Sequence, residues 1–147
     1  RHAAIVYGKD SSIVFNYLAE KSKITRTNHL VQLIDKIGYQ KSSLTRINSA
    51  LRLVQKKVFP NDERRDRKKI MVLFTDGVQN SPSYKEGLAA AGRKLEKNNV
   101  KVFGILTGKQ LNINTFLKLC SNDKLVFNHE FLPEIIETMS SEMEYLC

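Results

Sequence analysis

Acidic residues are scarce in this chain. Fifteen Asp plus Glu stand against 24 Lys plus Arg over 147 residues, a formal net charge of +9. Cysteine is scarcer still: two are too few for a disulfide scaffold and lack the spacing of a zinc site. No apolar stretch approaches the ~20 residues a membrane span needs, which predicts a soluble globular domain. Seven glycines and 41% apolar content exclude a collagen-like, low-complexity or disordered chain. There is no Gly-x-x-x-x-Gly-Lys-Ser/Thr phosphate loop and no Ser-His-Asp set, and His2, His29 and His129 are scattered rather than paired. No Asn-x-Ser/Thr sequon occurs either. The first residue is Arg1, not Met, and no signal-peptide pattern precedes the first apolar run. The sequence therefore reads as a processed chain or a fragment.

What is present alternates between two kinds of apolar pattern. Short continuous runs at residues 3–7, 70–74 and 100–106 have the length and β-branched content of buried strands. Ile13, Phe15 and Tyr17 form a less regular strand, joined to the first by the turn Gly8-Lys9-Asp10-Ser11, and residues 125–127 offer a last short one. Helical spacing links Leu30, Leu33, Ile34 and Ile37. A longer series runs through Leu44, Ile47, Leu51, Val54 and Val58. Tyr84, Leu88, Ala91 and Leu95 mark a third helix; Ile113, Phe116, Leu117 and Cys120 a fourth; and Leu132, Ile135, Ile136, Met139, Met143 and Leu146 the last. A hairpin followed by alternating helix and strand predicts one α/β domain with a mostly parallel sheet covered on both faces.

Ligands of open parallel sheets bind beyond the carboxyl ends of the strands. The most apolar strand runs straight into Thr75-Asp76-Gly77, so Asp76 sits where such sheets place functional carboxylates. A turn or capping role would explain Asp76 alone equally well. A second polar site, Ser42-Ser43-Leu44-Thr45-Arg46, precedes the long helix, where Ser43 or Thr45 would serve as an N-cap.

Taken together these segments resemble the von Willebrand factor type A domain. The resemblance lies in Thr45-Arg46-Ile47-Asn48-Ser49-Ala50-Leu51 opening a helix, then Val72-Leu73-Phe74-Thr75-Asp76-Gly77 ending a strand. It continues through Val100-Lys101-Val102-Phe103-Gly104-Ile105 and on to the closing helix, spanning the chain from Ala3 onward. It implies a three-layer Rossmann-like α/β sandwich, with a mostly parallel sheet, one antiparallel edge strand and helices on both faces. It also implies a metal-ion-dependent adhesion site, in which Mg²⁺ or Mn²⁺ is held by an Asp-x-Ser-x-Ser loop, a Thr and an Asp. Thr45 matches the Thr, and Asp76 matches the Asp, which in the family typically acts through water. Oxygen donors of this kind suit Mg²⁺, which takes about six in octahedral array and keeps several waters. Such a site can accept an acidic side chain of a partner as its last ligand.

The chain departs from that pattern in one large respect. No Asp-x-Ser-x-Ser occurs, and Asp10-Ser11-Ser12 has the wrong spacing. The family places that loop on a first strand lying between those at residues 3–7 and 70–74. The sequence is accordingly expected to be an N-terminally incomplete copy, a single type A domain over residues 1–147 without its first strand and helix.

In extracellular members of the family a Cys beyond the last helix commonly pairs with one ahead of the first strand, which is what the resemblance implies for Cys147. Cys120 lies on the apolar stripe of its helix and reads as a buried thiol, with a bond to Cys147 as the alternative. An oxidising, extracellular setting is expected.

The resemblance implies a non-enzymatic, secreted adhesion or matrix-binding module, its partner a matrix or cell-surface protein offering an acidic side chain. Val78, Gln79, Asn80 and Ser81 are expected to form the contact rim, with residues 8–11 a weaker part of it. A metal-independent alternative is binding of a heparin-like acidic polymer by Lys56, Lys57, Arg64, Arg65, Arg67, Lys68 and Lys69. A plain solvated face explains the same cluster. Nucleic acid is disfavoured, because no recognition module is evident and no aromatics interleave with these cations. A phosphoryl-accepting enzyme built on Asp76, with Lys109 after the next strand, is the least supported reading.

Overall fold

The computed structural model describes residues 2–16, 27–38, 42, 44–59, 69–76, 78, 85–108, 112–120 and 126–144. The apolar runs do form strands: β1 (Ala3–Tyr7), β2 (Ser11–Asn16), β3 (Lys69–Thr75), β4 (Val100–Leu106) and β5 (Val126–Asn128). The helical stripes form α1 (Thr27–Asp35), α2 (Ile47–Leu53), α3 (Lys85–Lys97), α4 (Ile113–Leu119) and α5 (Leu132–Glu144). Tyr17, Tyr84, Leu125, Leu146 and Cys147 lie outside the described residues.

The strands make two sheets instead of the single one expected: an antiparallel pair, β1-β2, and a parallel sheet in the order β3-β4-β5. Both kinds of pairing were anticipated. Among the described residues β1 pairs with β2 alone, and β3 pairs with β4 alone. The chain divides accordingly into two compact units, residues 1–62 with 79–82 and residues 63–78 with 83–147.

In the first unit, α2 packs on β1 and β2 and buries Ile47, Ala50 and Leu51 beside Phe15. The long helix anticipated from Leu44 to Val58 begins three residues later and changes pitch. Residues Val54–Val58 form a π-helical turn closed by Phe59 N donating to Val54 O at 2.9 Å, which keeps both Val54 and Val58 buried. Asn16 Nδ2 donates to Lys57 O at 2.8 Å and ties this turn to β2.

In the second unit, β4 has a neighbour on each side and is almost wholly buried, whereas β3 is an edge strand whose Phe74 is 57% exposed. Phe103 on β4 stacks on Phe127 of β5 with ring centroids 6.4 Å apart. Helices α3 and α4 pack on each other and on β4, burying Leu88, Leu95 and Leu119. Their contact passes at Gly92, where a Cβ would stand 2.5 Å from Leu119 O. Asn99, in the left-handed region at φ 56, turns the chain from α3 into β4.

Cys120, just past α4, is a buried free thiol, the simpler of the two readings of it. Burial pushes the thiol up from 9.0 to about 11. That shift leaves about a hundredfold less thiolate at neutral pH, and the thiolate is the nucleophile. Iodoacetamide should therefore label Cys120 at neutral pH only at the rate of unfolding. The folded-state value is the higher one, so the stability tied to the protonated thiol is full below about pH 9. It is lost as pH rises through about 11. A Cys120→Ala variant should lack this component of the alkaline destabilisation, which chemical denaturation across that range would measure.

Candidate functional site

Asp76 follows β3 directly, half-buried, at the carboxyl edge of the parallel sheet. Its Oδ1 accepts from Val78 N at 2.9 Å and from Thr75 Oγ1 at 3.4 Å. Oδ2 takes no hydrogen bond from a described residue. The main chain around it is held as well. Thr107 N donates to Thr75 O at 3.0 Å and Asn112 N donates to Asp76 O at 2.9 Å, so two residues that follow β4 hold the end of β3. Gly108 has φ +107, a conformation suited to glycine, and a Cβ there would sit 3.6 Å from Asp76 Cβ. Among the described residues the carboxylate is thus held through Oδ1 alone.

On the same edge, His129 Nδ1 lies 3.3 Å from Leu106 O, a contact that requires the proton on Nδ1. Asn128 Nδ2 donates to Glu130 Oε2 at 3.4 Å. Among the described residues no group of three or more His, Cys, Asp and Glu could hold a metal ion.

Thr45 belongs to the first unit and is half-buried. The capping role open to it from sequence is not what the structure uses. The N-cap of α2 is Arg46, at φ −116 and ψ 74, with no side-chain cap bond. Thr45 sits one residue ahead of that, between Leu44 and Arg46, and its hydroxyl is not committed to the helix. Ser43 lies outside the described residues. Ser42 Oγ accepts from Lys9 N at 2.8 Å and from Leu44 N at 3.3 Å, and donates to Leu44 O at 3.0 Å. Arg46 N donates to Gly8 O at 3.0 Å.

Of the anticipated rim, Val78 is half-buried and orients Asp76 through its N–H, while Gln79, Asn80 and Ser81 lie outside the described residues. In the turn between β1 and β2, Gly8 is buried and Lys9 and Asp10 are exposed. Of the basic cluster, Lys56 and Lys57 are exposed. Lys69 is half-buried, with Nζ donating to Asn98 O at 3.3 Å. Arg64, Arg65, Arg67, Lys68 and Lys109 lie outside the described residues.

A hydroxyl such as that of Thr45 and a carboxylate such as that of Asp76 are each of the ligand type that Mg²⁺ and Mn²⁺ favour. Sequence reasoning singled out Thr45 and Asp76 but not the groups around them, Gly8 and Ser42 beside the Thr45 loop and Thr107 and Asn112 beside Asp76. Gly108, after the strand end at Leu106, was the one visible signal for the latter.

Comparison with known proteins gives consistent results. The family model of the von Willebrand factor type A domain matches residues 1–140. No curated protein matches the sequence significantly. Among solved structures, proximal thread matrix protein 1 from the mussel byssus superposes with a TM-score of 0.75 at 21% identity, over 92% of this chain and 33% of that one. That structure is described as having a zinc-occupied MIDAS motif. BatB from Bacteroides thetaiotaomicron follows with a TM-score of 0.63 at 16% identity, over 97% of this chain and 78% of its own. This chain spans about a third of the length of the byssus protein.

Proposed function

Because the chain belongs to the von Willebrand factor type A domain family, we propose that it is a non-enzymatic extracellular adhesion or matrix-binding module. It engages its partner through a metal-ion-dependent adhesion site. Thr45 and Asp76 are the residues of this chain that match the family's Thr and Asp oxygen donors. Mg²⁺ or Mn²⁺ is the resident ion. When bound, it supplies a positive centre able to take a partner's carboxylate as its last ligand.

The observation that carries this reading is Asp76: a strand-end carboxylate fixed through Oδ1 by Val78 N, with no described residue bonded to Oδ2. The solved neighbours support an extracellular setting, since one is a byssus matrix protein. Among the described residues no helix is long and apolar enough to cross a membrane. Val78, Gln79, Asn80 and Ser81, adjoining Asp76, form the rim against the partner.

Exposed Lys56 and Lys57 favour a second reading, in which they bind a heparin-like polymer without metal together with Arg64, Arg65, Arg67, Lys68 and Lys69 of the same basic cluster in the sequence. The two modes part under different conditions. Beads carrying the protein as its gene encodes it should detach from a matrix-protein surface in EDTA yet hold in ~1 M NaCl, where charges are screened beyond about 3 Å. Detachment by salt with indifference to EDTA would select the polyanion reading instead.

A further inference from the structure

The loop carrying Thr45 is locked to the β1-β2 hairpin by a latch of three residues. Gly8 sits at the turn, buried, its N–H donating to Asp10 O at 2.9 Å. Any larger residue is excluded there, since a Cβ would stand 2.5 Å from Ser42 Cβ and 2.6 Å from Ser42 Oγ. That close approach lets Ser42 Oγ bond Lys9 N on the hairpin side and both main-chain groups of Leu44 on the loop side. Across the gap, Gly8 O receives Arg46 N. Of the two neighbours of Thr45, Arg46 is therefore bonded to the turn directly, and Leu44 is bonded to Ser42 Oγ, which itself holds Lys9 N. Both sides of Thr45 are thus restrained.

We propose that Ser42 is a positioning residue for Thr45: with Gly8, it transmits the rigidity of the β1-β2 ladder to the metal-ligating hydroxyl. The proposal rests on the reading of Thr45 as a ligand. An octahedral ion tolerates its donors within about half an ångström of the required place. A loop held only at its helical end would have to be ordered by the ion itself, at a cost to affinity. Ser42 is exposed and takes no part in the hydrophobic core, so removing its hydroxyl leaves the packing of both units alone.

The test is Mn²⁺ titration of the protein as its gene encodes it, in wild type, Ser42→Ala, Thr45→Ala and the double variant. Ser42→Ala should weaken Mn²⁺ about tenfold, the lower end of what outer supports of metal ligands contribute. Thr45→Ala should weaken it more, and the double variant no further than Thr45→Ala, because the serine acts through the threonine. Equal losses from Ser42→Ala in both backgrounds would overturn the proposal. So would a silent Ser42→Ala beside a damaging Thr45→Ala. If both single variants were silent, the ligand reading itself would fall, and this inference with it. Amide exchange supplies a metal-free check: Arg46 N–H should exchange faster in Ser42→Ala at unchanged melting temperature, and an unchanged rate would refute the latch.

Discussion

Asp76→Ala should lower Mn²⁺ affinity by about two orders of magnitude, and Thr45→Ala should lower it at least as far. Melting temperature should move little in either case. Asp76 contributes charge, and in the family reading it acts through water; outer-shell groups of that kind typically contribute 10–100-fold. Asp76→Asn is the sharper variant. It preserves an oxygen for Val78 N, and so the turn, while removing the negative charge. Strong loss in Asp76→Asn would locate the effect in charge; retention there with loss in Asp76→Ala would make Asp76 a turn residue after all. Isothermal titration of Mn²⁺, with a thermal melt of each metal-free variant, separates the cases.

Gly92→Ala should destabilise the fold by about 2 kcal/mol, against the usual rule. In an exposed helix interior the exchange stabilises by about 1 kcal/mol, because glycine leaves more backbone freedom to lose. Gly92 is different because α4 ends against it. The added Cβ would lie 2.5 Å from Leu119 O, 3.1 Å from its carbonyl carbon and 3.2 Å from its Cα, all backbone atoms that no rotamer change can move aside. Helix α3 must back away from α4, and overpacking of that sort costs about 1–3 kcal/mol. For a chain of this size a loss of about 2 kcal/mol lowers the melting temperature by several degrees. Because Leu119 adjoins Cys120, the same variant should also speed thiol labelling. A higher melting temperature in Gly92→Ala would show that the helices do not meet here.

Strand β4 was readable to the residue because an apolar run buried on both sides has only one way to pair. The helices were readable because each keeps one apolar stripe. Leu44 shows where that logic stops. It fits the three- and four-residue spacing of α2, yet lies ahead of the helix, because its main-chain groups are bonded to Ser42 Oγ. The bond joining Ser42 to Lys9 spans 33 residues, a separation that no local pattern encodes. That β1 and β3 are not neighbours came only from the family resemblance, which puts another strand between them, since strand composition says that a strand is buried, not by what. Asp76 stood out because a polar triplet interrupts an apolar run. The hold of Thr107 and Asn112 on this strand end is made by backbone groups, which leave only Gly108 as a trace.

Strand β4 is laddered on both sides, to β3 and to β5, and is almost wholly buried. Its backbone amides have no route to deuterium short of opening the whole second unit, so they should be the last of that unit to exchange, and their rate should report that unit's global stability.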